Sequence, residues 1–221
     1  MASIVMSVLL SGVPFAVALD AAALPELSIA DDVAYYTVTG TSARSIRAEL
    51  ERRSETGGES PHGSTRSTFE VISRLEEVDG RCRVLQQRIL IGITTELPRW
   101  EPGRAVAASL QASWDQSLAR LVRHEAGHRE NVLEAAARLQ ETLASLESEV
   151  HCLSAQVNID IALENALNRL DRREALYDRL TGNGRRDPPG PDGLQQAGTA
   201  EEQDTQLEKL RRFRTSRFPA E

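Results

Sequence analysis

The sequence predicts an α+β fold: a small antiparallel sheet of about three strands with an N-terminal helix, packed against a long antiparallel helical hairpin. Three observations carry that expectation. Short β-branched runs separated by turn residues fill the first half of the chain, and two long stretches of helical apolar periodicity fill most of the second. A Gly/Pro-rich stretch then marks the end of the folded part.

Residues 1–18 (MASIVMSVLLSGVPFAVA) carry no charged side chain and end in the small-x-small triplet Ala16-Val17-Ala18. That is the pattern of a signal peptide with its cleavage site, although the usual Lys or Arg is missing at the start. An uncleaved anchor is the alternative, and the segment is then the one expected membrane contact. Residues 33–39 (VAYYTVT) read as a strand closed by Gly40, and Thr41 or Ser42 offers an N-cap for a helix to about Arg53, with Ile46 and Leu50 as its apolar pair. Residues 54–67 are rich in Gly, Ser and Thr and read as an exposed loop, in which His62 is expected to be a surface histidine because no second ligand stands at helical or strand spacing. Two strands follow, at about 67–78 and 81–95, joined by Asp79-Gly80, a hairpin-turn dipeptide; Leu97-Pro98 is expected to end the sheet.

From about residue 104 to 150 the pattern is nearly continuous helix, and a second helix is expected from about 158 to 180, with Leu163, Leu167, Leu170 and Tyr177 as its apolar line. Folded residues thus run from 19 to 184. Residues 185–221 are expected to form a linker and mobile tail, with a short helix near 205–213. Cys82 and Cys152 are the two cysteines. Export would let them pair, whereas a cytosolic setting would leave two buried thiols.

The formal charge is −7, and apart from Lys209 the basic residues are all arginines that alternate with acids. No nucleic-acid partner is expected from such a surface.

The residues that carry chemistry are His124-Glu125-Ala126-Gly127-His128, inside the first long helix. This is H-E-x-x-H: histidines at i and i+4 share a helix face and can grip one Zn2+ ion, and the glutamate is placed to act as general base, so the expected helical hairpin is of zincin-like type. Glu125 and His128 fall within the apolar stripe of Leu118, Leu121, Val132, Leu139, Leu143 and Leu146, with His124 at its edge. Burying such groups unpaired costs several kcal/mol, so they need partners, and a metal would serve. The plainer alternative pairs Glu125 with Arg123 or Arg129 and makes the histidines core residues.

Several segments, in this order, resemble the bacterial domain-of-unknown-function family 922: YYTVTGTSARSIRAEL, CRV followed by ITTELPRW, Trp114-Asp115, HEAGH, and Tyr177-Asp178 with Thr181. Family members are described as secreted zinc-dependent proteases. The resemblance therefore implies His124 and His128 as zinc ligands and Glu125 as general base. One departure stands out, because the family's closing stretch places a histidine where this chain has Asn183.

Catalytic zinc normally has three protein ligands. If the two helices turn back on one another near residue 153, a rise of about 1.5 Å per residue sets position 126 opposite 180. Asp178, Thr181 and Asn183 lie at that depth, and Asp178 is the expected third ligand, with a locally bonded helix-terminal aspartate as the alternative. Glu164 and His151 lie too near the turn, and His151 is expected at a helix C-terminus. The function expected is a secreted or periplasmic zinc-dependent metallohydrolase, most plausibly a peptidase acting on a peptide or protein. The alternative is a non-catalytic envelope protein with a structural metal or none, acting through its helical surface.

Overall fold

The computed structural model describes residues 24–55, 62–146 and 151–188. The leader at 1–18, almost all of the tail at 185–221 and the expected helix at 205–213 lie outside them. The elements are β1 (Glu26–Val38), α1 (Ala43–Glu55), β2 (Ser64–Val78), β3 (Arg81–Trp100), α2 (Ala108–Ala144) and α3 (Cys152–Thr181), an α+β order.

The three strands form one sheet in the order β1-β3-β2. β2 and β3 are the expected antiparallel hairpin, and their turn uses Asp79 and Gly80 at φ of 53° and 69°. That left-handed pair matches the right-handed twist of the strands it joins. β1, however, runs parallel to β3, from Glu26 opposite Arg88 to Val38 opposite Trp100. The sheet is therefore mixed, not antiparallel throughout. The reason is topological: β1 ends and β2 starts at the same end of the sheet, so β2 runs down beside β3 while β1 keeps the direction of β3. Alternating side chains specify a face, but not which neighbour a strand takes.

β3 also continues through Leu97-Pro98 instead of ending there. β2 has its first pair at Ser64 and Glu96, so beyond Glu96 the neighbour of β3 is β1. Pro98, which has no N–H to give, interrupts no bond to β2. We call this end of the sheet, with Val38, Ser64 and Trp100, the upper end.

α1 starts where Ser42 Oγ accepts the Ser45 N–H at 3.2 Å while Ser45 Oγ accepts the Ser42 N–H at 3.0 Å, a reciprocal cap. Ile46 and Leu50 bury against Val38, beside Tyr36, Trp100, Leu110 and Trp114. The main core lies lower, where Ile89, Ile91 and Ile93 of β3 meet Val132, Ala136, Leu139 and Leu143 of α2 and Ile159, Ala162, Ala166 and Leu170 of α3. α2 and α3 run antiparallel, since His124 lies beside Asp178, His128 beside Glu174 and Asn131 beside Arg173. α3 begins six residues earlier than its apolar pattern suggests, with His151 as its N-cap and not, as expected, at a helix C-terminus. A bridge between Cys82 and Cys152, Cα atoms 4.8 Å apart, fastens the start of α3 to β3 near the hairpin turn.

Candidate metal centre

Above the main core the facing surfaces of α2 and α3 change from apolar to polar. His124, Glu125 and His128 are 5%, 3% and 8% exposed, so all three are buried as the helical stripe implies. From α3, Asp178 Oδ1 lies 3.4 Å from His124 Nε2 and 3.1 Å from His128 Nε2, and the two nitrogens are 3.2 Å apart. These residues are a group that could hold a metal ion. A tetrahedral zinc with bonds of about 2.0–2.1 Å separates its ligand atoms by about 3.3 Å, close to the three distances seen. The Asp178 side chain is 41% exposed, so the triad is open on one side.

The neighbours hold the ligands in place. His128 Nδ1 is bound to Glu174 Oε2, which leaves Nε2 directed at the triad. Tyr177 stacks on the His124 ring at 5.2 Å and meets the His128 ring edge-on at 4.9 Å, and its hydroxyl donates to the His124 carbonyl at 3.1 Å. That packing explains Gly127 in the motif: a Cβ there would lie 2.0 Å from the Tyr177 hydroxyl oxygen. Any side chain at 127 would push Tyr177 off the histidines.

Glu125 reaches the sheet. Its Oε2 accepts the Thr65 hydroxyl at 2.8 Å, and Thr65 Oγ1 is in turn 3.2 Å from Thr95 Oγ1. Burial raises its pKa above the ordinary value, partly offset by the Thr65 bond and by His128, while Asp178 and Glu174 push it up further. A carboxylate so placed takes up a proton more readily than one in water. Burial and the neighbouring His128 lower the His124 pKa to about 4 against the pull of Asp178, so this imidazole is neutral near pH 7 and its nitrogen free to bind a metal. Burial also opposes a charge on His128, but Glu174, Asp178 and Glu125 outweigh it and raise its pKa.

The sequence profile of a bacterial protein family of unknown function, DUF922, matches residues 33–184, well over half of the chain. The chain belongs to this family. Within DUF922's matched span lie every residue of the triad and its supports, from Thr65 to Asp178. No curated protein and no solved structure matches the chain significantly.

Of the residues expected to carry chemistry in this DUF922 chain, His124, His128 and Asp178 come together, with Glu125 one residue from the first. Cys82 and Cys152 join at the opposite end of the helices. Asn183 is exposed on the turn after α3, at φ of 53°, and the triad is assembled without it. His62, expected at the surface, is less exposed than that. It is half-buried at the upper end, and its carbonyl accepts the Tyr36 hydroxyl at 2.9 Å. Glu174 and Thr65 went unnoticed in the sequence. Glu174 had a signal, because Glu174 and Asp178 repeat on α3 the i, i+4 spacing of His124 and His128 on α2, as two facing antiparallel helices require. Thr65 had none, being 60 residues from Glu125.

Proposed function

We propose that this chain is an exported zinc-dependent hydrolase that cleaves peptide bonds in peptide or protein substrates. The observation that carries the proposal is the triad of ligand atoms 3.1–3.4 Å apart beside a buried glutamate that is not one of them. A donor set of two imidazoles and one carboxylate on its own suits iron(II) as well as zinc. Glu125 tips the choice toward hydrolysis, which needs a base beside the metal. Zinc held by His124, His128 and Asp178 would supply a Lewis acid and lower the pKa of a water to about 7. Glu125, held by Thr65, takes the proton of the attacking water and can pass it to the leaving amine. The open side at Asp178 admits water and substrate. The helix pair is zincin-like in this respect: one helix gives two histidines and the base, the next gives the third ligand. The apolar leader and the Cys82–Cys152 bridge support an oxidising compartment such as the periplasm or the exterior.

The test is Glu125→Gln, which keeps size and the bond from Thr65 while removing the base. We expect unchanged zinc content and at least about a hundredfold loss of peptide hydrolysis. A variant as active as wild type would overturn the mechanism. Zinc binding with no hydrolysis by wild type over a broad peptide library would favour a structural metal in a non-catalytic envelope protein.

A further inference from the structure

Beside the metal centre, at the upper end, α1, the first half of α2 and the turn after α3 enclose a cleft of about 420 Å³. That volume is within the range of small-ligand and peptide side-chain sites. Its inner wall is also the wall of the metal centre. Leu121 lies one turn before Glu125 on α2, and a Cβ built on Gly63, next to the lining residue His62, would be 3.1 Å from both Glu125 Oε1 and Leu121 Cδ1. On the other side a Cβ on the lining residue Gly184 would be 3.1 Å from His124 Cδ2. The two sites therefore share a wall, which sets the cleft next to a substrate bound at the triad.

The lining has two chemistries. Ile46, Leu50, Trp114, Leu118 and Leu121 supply apolar surface, with Trp114 held by its tilted contact with Trp100 at 5.5 Å. Arg47, Arg120 and Arg185 supply positive charge, and among the described residues no acidic one lines the cleft. None of these three arginines has an ion-pair partner among the described residues. This is the reverse of the chain as a whole, which carries −7 and pairs Arg53, Arg123, Arg129, Arg138 and Arg173 with acids. An apolar pocket alone would take any hydrophobic side chain, whereas guanidinium forks around it favour a carboxylate held two-pronged.

We infer that the cleft is the specificity subsite of the metal centre and that it receives a peptide segment in which an apolar side chain is followed by a carboxylate. The inference deepens the hydrolase reading and rests on it for the direction of the substrate. The carboxylate has two sources, the end of a peptide chain or an aspartate or glutamate side chain.

Binding separates the two questions. Fluorescence anisotropy with zinc-loaded Glu125→Gln protein would compare labelled Ala-Ala-Leu with a free C-terminus, the same peptide amidated, and Ala-Ala-Leu-Asp amidated. We expect at least one carboxylate peptide to bind about tenfold or more tightly than the neutral amide. The preference should vanish in Arg120→Ala/Arg185→Ala, and also in Arg47→Ala/Arg185→Ala, which changes only exposed side chains and so guards against misfolding of the first. Tight binding of the free terminus alone assigns a chain-end carboxylate, and of the aspartyl peptide alone an internal acid. Equal binding of all three peptides, or a preference that survives both arginine pairs, overturns the inference. Selective binding without cleavage by wild type would leave the subsite standing and retire the hydrolase reading.

Discussion

Along one pair of helices two regions are built on opposite rules. In the lower half Leu139 and Leu143 of α2 face Ile159, Ala162 and Ala166 of α3 over β3, and the Cys82–Cys152 bridge closes that end. In the upper half the same helices bury two imidazoles against Glu174, Tyr177 and Asp178, while Glu125 is buried against Thr65 of the sheet. The lower half gains stability from each apolar contact, at roughly 25 cal/mol per Å² removed from water. The upper half gains little, because desolvating charges offsets most of their mutual attraction. What the contrast teaches is where this chain gives up stability: the polar layer lies at the upper end, above a core that can carry it, and it lies where a metal would satisfy it.

The largest effect expected from breaking the contrast is at the lower end. Replacing Cys82 and Cys152 by Ala opens a link spanning 70 residues, which on chain-entropy grounds costs about 4 kcal/mol. Denaturant unfolding should show that loss while zinc affinity, measured on the folded protein, stays within about twofold. A parallel fall in affinity would mean that the two ends are not independent.

Glu174→Gln acts at the upper end and reverses the pattern. It keeps the shape but weakens the hold on His128 Nδ1, and loss of such a partner commonly costs ten- to a hundredfold in metal affinity. Competition with a zinc chelator should report that drop with little change in the unfolding midpoint of the metal-free protein. An unchanged affinity would remove Glu174 from the site's support.

The smallest effect concerns pH. Burial raises the Glu125 pKa in the folded state above its ordinary 4.5, so the folded protein binds the proton more tightly than the unfolded chain does. Glu125 thus contributes most below pH 4.5 and progressively less as pH rises through the folded pKa. Metal-free Glu125→Gln should therefore gain stability relative to metal-free wild type as pH rises, and thermal melts across that range check it. The opposite slope would mean that the Thr65 bond outweighs burial.

Much of this was readable in the sequence, and the exceptions have physical causes. The long helices, the Asp79-Gly80 turn and the buried face of His124, Glu125 and His128 follow from periods of 3.6 and from turn chemistry, both local. Asp178 was reachable because an antiparallel helix pair converts distance from the turn into height. The assumed turn near 153 sets 126 opposite 180, and the contacts of 124 with 178 and 128 with 174 put it about two residues earlier. Glu174 depended on that finer register. The parallel pairing of β1 and the half-burial of His62 depend on long-range topology, to which local pattern is blind.

The central claim is that α2 and α3 together hold one zinc ion. Zinc-edge X-ray absorption on purified mature protein tests it most directly, alongside metal stoichiometry for wild type, His128→Ala and Asp178→Ala. The account predicts about one zinc per chain, a first shell of two imidazole nitrogens and at least one carboxylate oxygen at about 2.0–2.2 Å, and loss of bound zinc in His128→Ala with weakened binding in Asp178→Ala. Zinc content unchanged in both variants, or a first shell without two imidazoles, would contradict it.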